Sequence, residues 1–284
     1  MMPGFPFSKS AGALLTLAWA SANAQSARPT FEVATVRLST TDEGAYSAGG
    51  PGSKDPTQFT FVRARLGTLL RRAYSIKPFQ LIAPAGLPDA YFDVHARVPP
   101  GTSEPEFEEM LRTLLVERFG LKAHQETRDM SGYELSVAAG GPRLKPAEAT
   151  AEPPPPDVPV GRLPLIRDRG GEMQLPPGRN ALLVLRLSDG RFRQSGRMQS
   201  MTDIVEMCTR ELGRPVVDRT GLSGVYDFNI DFMRPPDEPT DSQTDADVPF
   251  LTAIQAQLGL RFTAKKIPAT VVIVDHINKI PTDN

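Results

Sequence analysis

The chain is poor in the residues that most often carry chemistry: one cysteine, one tryptophan and three histidines among 284 residues. A single thiol excludes an intrachain disulfide and any paired-cysteine redox or zinc motif. No HExxH and no His/Cys cluster is present, so no metal and no cofactor is expected. Charge of one sign is also missing. Lys plus Arg total 32 against 33 Asp plus Glu, a net charge of −1, which lacks the basic excess of a nucleic-acid binder. No internal apolar run approaches the ~20 residues that span a bilayer. Proline alone is in surplus, at 28 residues, roughly twice its usual share. The apolar fraction of 40% and charged fraction of 23% are those of an ordinary globular protein.

The first 24 residues have the pattern of a secretory leader. Lys9 is followed by an apolar run from Ala11 to Ala20 and by the small-residue pattern Ala22-Asn23-Ala24, which places cleavage before Gln25. No twin arginine precedes the run and no cysteine sits at the cleavage point. The expected product is exported, periplasmic or extracellular, with no membrane-spanning segment.

Four segments have helical period. Leu66, Leu69, Leu70, Ala73 and Tyr74 form one stripe, and Phe107, Met110, Leu111, Leu114, Leu115 and Phe119 a second. The second opens on Ser103 with Glu106 three residues on, a capping box, and stops at Gly120. Met201, Ile204, Val205, Cys208 and Leu212 make the third, between Ser200 and Gly213. Phe250, Ala253, Ile254 and Leu258 make the fourth, opened by Asp247 and closed by Gly259. Cys208 thus falls on an apolar stripe, where a buried structural thiol is the ordinary role.

Strands of period two lie between them. Phe92, Val94, Ala96 and Val98 alternate with polar residues, and so do Tyr226, Phe228, Ile230 and Phe232. These two runs superpose on a shift of 134 positions. The first and third helices superpose on a shift of 135, and Phe119-Gly120-Leu121-Lys122 meets Leu258-Gly259-Leu260-Arg261 on a shift of 139. Such self-similarity is the mark of an internal duplication. In each half two strands precede the first helix: Phe31–Leu38 and Gln58–Val62, joined by a glycine-rich loop, then Leu182–Leu187 and Arg191–Gln194, joined by Asp189-Gly190. Each half ends in a strand pair: Lys122–Glu126 with Tyr133–Ala138, and Arg261–Lys265 with Thr270–Val274. The expected fold is α+β, two β-β-α-β-β-α-β-β modules, each with two helices on a small, mainly antiparallel sheet.

The expected organisation is a leader (1–24), a first module (25–145), a proline-rich linker (146–180) and a second module (181–284). Nine prolines fall between Pro146 and Gly178, a composition that favours an extended spacer. Residues 235–249 form an acidic insert in the second module. It carries Asp237, Glu238, Asp241, Asp245 and Asp247 without a basic residue, and lacks the spacing of a calcium loop.

Several motifs in order carry a family likeness: Phe31-Glu32-Val33-Ala34-Thr35-Val36, Leu69-Leu70-Arg71-Arg72-Ala73-Tyr74, Glu117-Arg118-Phe119-Gly120-Leu121-Lys122, Gly140-Gly141-Pro142-Arg143-Leu144-Lys145 and Arg214-Pro215-Val216-Val217-Asp218-Arg219-Thr220-Gly221-Leu222. The chain resembles the soil-associated family of exported proteins of unknown function that is abundant in Acidobacteria. The resemblance implies no established activity. Fusion of some relatives to membrane metallopeptidases implies an extracytoplasmic sensing or interaction role. In element order each half is also similar to the short N-terminal domain of secretins and TonB-dependent receptors, which implies a protein-contact module.

Candidate chemistry is sparse. His124 and Glu126 share one side of a strand, with Arg128 following, and could form a general base or half a metal site. The commoner role of such a pair is a surface ion contact. His95 shares a face with Asp93, and His276 adjoins Asp275, whose side chain a regular strand would point the other way. Gly221-Leu222-Ser223-Gly224 precedes a strand and is no nucleophile elbow. Gly49-Gly50-Pro51-Gly52 lacks the spacing of a dinucleotide or phosphate loop.

The favoured expectation is an exported, non-enzymatic protein that binds an envelope protein or peptide, since small sheets leave edge strands that accept a partner strand. The alternatives are a hydrolase or metal-dependent enzyme using His124 and Glu126, and a sensor module acting with a membrane peptidase. One consequence is directly measurable. Trp19, the only tryptophan, lies in the leader. The exported chain should therefore have the mass of a product starting at Gln25 and emit as tyrosine only; an indole emission band in that product would show that the leader is retained.

Overall fold

The computed structural model describes residues 28–83, 86–147, 166–167, 173–175, 180–233 and 249–282. The leader, most of the proline-rich linker and nearly all of the acidic insert, Asp247 included, lie outside them. In chain order the strands are β1 (Val33–Leu38), β2 (Tyr46–Gly49), β3 (Gln58–Arg65), β4 (Leu81–Ile82), β5 (Tyr91–Arg97), β6 (Lys122–Val137), β7 (Lys145–Pro146), β8 (Ile166–Arg167), β9 (Met173–Gln174), β10 (Ala181–Arg186), β11 (Phe192–Ser200), β12 (Val216–Asp218), β13 (Val225–Phe232) and β14 (Leu260–His276). The helices are α1 (Leu66–Tyr74), α2 (Glu104–Phe119), α3 (Met201–Leu212) and α4 (249–258), whose last turn, Ile254–Leu258, is π-wound. The fold is α+β.

Helix ends follow local chemistry. Ser103 and Glu106 form a reciprocal capping box at α2, and Ser200 and Asp203 form one at α3. Each supplies acceptors to backbone N–H groups that the first turn cannot satisfy. The bonds from Ser200 hold the Asp203 carboxyl below its ordinary range. Gly120, Gly213 and Gly259 end their helices in the left-handed conformation. α1 differs, ending on Ser75 in that conformation at φ 51°.

Three four-stranded sheets organise the chain, with β8 and β9 forming a separate two-stranded pair. The first runs β1-β5-β3-β2 beneath α1 and α2. The second runs β10-β11-β13-β7 beneath α3 and α4. Both are antiparallel throughout. β3 passes directly into α1, and β11 directly into α3. Each of these strands carries a bulge just before the helix, between Phe61 and Ala64 and between Gly196 and Gln199. In each bulge a non-glycine residue takes positive φ, Arg63 at 53° and Met198 at 50°. Its N–H donates to a carboxylate on the next strand, Asp93 or Asp227, at 2.9 Å in both cases. An acceptor aimed at the displaced N–H offsets the cost of that conformation.

The third sheet, β12-β6-β14-β4, joins the two ends of the chain. β6 pairs antiparallel with β14 along its whole length, from Lys122 opposite His276 to Val137 opposite Leu260. β4 adds parallel to β14 at Val272 and Ile273, and β12 parallel to β6 from Tyr133 to Leu135. Gly132 permits the second junction, since a Cβ there would lie 2.3 Å from the Pro215 carbonyl oxygen.

Two apolar cores result. The first gathers Phe59, Phe92, Phe107 and Phe119 with the helix stripes of α1 and α2, and includes Val274 from β14. The second gathers Ile204, Met207, Cys208, Phe228, Ile230 and Phe250 with Tyr133 and Leu135 from β6. Edge-to-face contacts tie the rings, Phe59 to Phe107 at 4.9 Å and Phe232 to Phe250 at 5.0 Å.

Several expected strands are rearranged. The pairs Lys122–Glu126 with Tyr133–Ala138 and Arg261–Lys265 with Thr270–Val274 are not hairpins: each pair is one continuous strand, because Thr127–Gly132 pairs with Lys265–Thr270 across the ribbon. β1 does not pair with β3 but with β5, and the glycine-rich loop contains β2. β7, whose Pro146 opens the expected linker, pairs with β13.

The two bulge carboxylates give a stability test. Asp93→Ala and Asp227→Ala should each cost about 1.5–3 kcal/mol, the scale of a hydrogen bond to a charged group, measured by urea unfolding. A loss below 0.5 kcal/mol in both would mean the strained N–H groups do not depend on them.

Candidate functional site

His124 and Glu126 lie two apart on β6 and share its side, as the strand period requires. The structure adds a third group from the far end of the chain. β14 is irregular between Val274 and His276, and this displaces Asp275 from strict alternation. His124 Nδ1–H donates to Asp275 Oδ2 at 2.8 Å, while its Nε2 stands 3.9 Å from Glu126 Oε2. Glu126 is itself paired with Arg128. The result is a polar row, Asp275, His124, Glu126 and Arg128, on a strand face open to solvent; the His124 side chain is 50% exposed.

A carboxylate on Nδ1 orients an imidazole and leaves Nε2 free to accept a proton. Among the described residues no nucleophilic side chain is hydrogen-bonded to Nε2. Nor do the described residues contain a group of three or more His, Cys, Asp or Glu side chains able to hold a metal ion. An exposed row of this kind is worth little to stability and provides charge for a contact.

Asp275 also lines a cleft of about 510 Å³ together with Leu38, Leu87, Asp89, His276 and Ile280. His276 Nε2 contacts Asn278 Oδ1 at 3.1 Å, not the adjacent carboxylate. Asn278 N–H donates to the Phe119 carbonyl and Thr282 N–H to that of Arg118, so the C-terminal segment caps the end of α2. His95 is exposed on β5 near Thr60 Oγ1, at 3.3 Å, and Asp93 is engaged by the Arg63 bulge. The two share a strand face without forming a pair.

Elsewhere on the first sheet, the Arg65 guanidinium donates to Tyr91 Oη at 2.6 Å, and Arg63 stacks 4.5 Å from the same ring. The bond from Arg65 holds the Tyr91 hydroxyl below its ordinary value.

The outer edges carry the remaining features. β2 and β10 each pair on one side only among the described residues. Both expose an apolar side chain, Tyr46 and Val184. Beside β10 lies a cavity of about 610 Å³ lined by Leu182, Val184, Gln194, Arg210 and Glu211. The contact of Asp275 with His124 and the setting of Gln194 have no local sequence signature. The first depends on a register 151 residues long-range, and Gln194 is a lone polar residue in a strand with no motif around it.

These features define an α+β protein with two helix-covered sheets, a shared ribbon and open strand edges. The chain belongs to the family described as protein of unknown function (DUF3738), whose model matches residues 67–277. No curated protein and no solved structure matches it. Among the described residues no helix is long and apolar enough to cross a membrane.

Cys208 is fully buried on α3. Burial, and then the nearby charge of Glu211, pushes its thiol well up, which suppresses the reactive thiolate. The native protein should therefore resist iodoacetamide at pH 8 and be alkylated at one site once unfolded in urea. Stoichiometric labelling of the native chain would mean that α3 opens readily.

Proposed function

We propose that the chain is an exported, non-catalytic binding protein of the cell envelope, built from two related α+β modules that offer open sheet edges to a protein or peptide partner. The observation that carries this reading is the pair of outer edge strands, β2 and β10, each unpaired on its outer side among the described residues and each exposing an apolar side chain. An exposed strand edge is a row of unmet backbone donors and acceptors, and strand addition is its commonest specific use.

The modular reading has its own support. Read from the edge, β2-β3-β5-β1 and β10-β11-β13-β7 have one order. The bulge residues Arg63 and Met198 stand 135 positions apart, as do Leu81 and Val216, which open the short parallel strands β4 and β12. β7 then takes the place of β1, and the proline-rich segment that of the loop between β1 and β2. The leader pattern supports export, and the resemblance to the soil-associated family of exported proteins supports an envelope setting.

A second reading, hydrolysis, is favoured by one observation, the carboxylate–imidazole contact between Asp275 and His124 beside the cleft. One experiment separates the two. Val184→Asp and Tyr46→Asp should remove reproducible capture of a partner from an envelope fraction, while the chain leaves ester, peptide and glycoside substrates unchanged. Turnover of any of these that His124→Ala lowers by tenfold or more would replace binding with catalysis; partner capture unaffected by both edge variants would overturn the edge reading.

A further inference from the structure

The second sheet contains one polar group that its own fold leaves half used. Gln194 is 2% exposed at the centre of β11, opposite Val184 of β10. Its Nε2 donates to Glu211 Oε2 at 3.1 Å. Since a carboxylate only accepts, this bond fixes which end of the amide is which. The other end, Oε1, has no hydrogen-bond partner. A buried carbonyl without a donor costs free energy, and native proteins seldom keep one without a use.

The setting points to that use. Gln194 lines the 610 Å³ cavity together with Leu182 and Val184, which share one face of β10, and with Arg210 and Glu211 from the last turn of α3. Among the described residues β10 has no strand on its outer side and forms the rim of this groove. Its six residues, ALLVLR, span about 20 Å, the length of a six-residue extended peptide. Of the two charged groups beside the groove, Glu211 keeps its charge but is half-buried and bound by the Gln194 amide, whereas Arg210 is exposed on α3 with no ion pair among the described residues. Arg186, at the end of β10, adds a second exposed cation. The rim therefore complements acidic side chains. Phe59, 135 positions before Gln194, stands at the matching point of β3 and is an apolar ring buried against Phe107 of α2.

We propose that the groove between β10 and the end of α3 binds an extended acidic peptide strand. The peptide adds to the edge of β10, sets apolar side chains over Leu182 and Val184, donates a hydrogen bond to Gln194 Oε1 and places a carboxylate against Arg210. This rests on the reading of the chain as an edge-binding protein and assigns that reading a site and a ligand chemistry.

The test uses the purified chain and labelled hexapeptides of alternating valine and threonine, ended by aspartate or by lysine, followed by fluorescence anisotropy. The aspartate peptide should bind more tightly than the lysine peptide. Arg210→Gln should remove that preference. Gln194→Met should weaken binding about tenfold, the scale of one buried hydrogen bond, with an unchanged or raised urea midpoint, a split that a purely structural Gln194 would not give. Val184→Asp should abolish binding of both peptides. Binding that Gln194→Met and Arg210→Gln leave untouched while Val184→Asp removes it would overturn this site but leave the edge reading standing. Binding that Val184→Asp also leaves untouched would overturn both. No binding by any peptide, or a concentration-dependent dimer of the chain that Val184→Asp disrupts, would overturn the peptide ligand.

Discussion

The β6–β14 ladder is the interaction on which the rest of the structure depends. It is the longest strand pairing among the described residues, and its two ends sit in different cores. Val274, near the end of β14, is buried with Leu121 among the residues of α1 and α2. Leu260, at its start, is buried with Tyr133 and Leu135 among those of α3 and α4. Each core thus borrows a strand from the far part of the chain. Apolar burial at either end holds the ribbon in register, because a slip by one residue would turn Val274 or Leu135 out of its core. The two halves are therefore coupled through backbone hydrogen bonds, whatever the length of the segment that connects them in sequence.

The middle of the ribbon obeys different rules from its ends. From His124 to Ser131 and from Thr263 to Lys266 most residues are exposed, and β14 there has β6 as its sole strand neighbour among the described residues. With no core on either face there is nothing to impose alternation, and Pro268 is accommodated opposite Asp129. This explains what could be read in advance and what could not. The helices were legible, since their apolar stripes and the Ser103, Gly120, Ser200 and Gly213 signals are local. Strands with one buried face, β5 and β13, were legible for the same reason. The stretch containing Asp129, Ser131 and Gly132 has the composition of a turn, and only its partners Pro268, Lys266 and Lys265, far along the chain, make it a strand. β4, β7 and β12 are too short to carry a period at all.

The charged row on β6 shows the same division. Glu126 and Arg128 could be placed beside His124 from spacing alone, whereas Asp275 reaches His124 through the irregularity at the end of β14. The carboxylate so recruited makes the imidazole better oriented but not better enclosed. Catalysis by a histidine needs a reacting group within reach and exclusion of water from it, and the His124 side chain, half exposed on an open strand, has neither among the described residues.

The two buried glutamines of β11 bear on where specificity resides. Gln199 uses its Nε2 against three acceptors, the Asn180 side chain and the carbonyls of Ala181 and Arg197, at 2.7, 3.2 and 3.0 Å. Those contacts fasten the start of β10 to β11, and the side chain is a structural clamp. Gln194, five residues earlier on the same strand, has one contact through Nε2 and an idle carbonyl. A leucine or methionine at that position would fill the space at lower cost, as Phe59 does in the first sheet. Retaining an amide in the more costly arrangement makes sense if the missing donor arrives from outside. Gln199 positions the strand edge, and under the proposed reading Gln194 would recognise the peptide, which divides support and recognition between two side chains of one type on one strand.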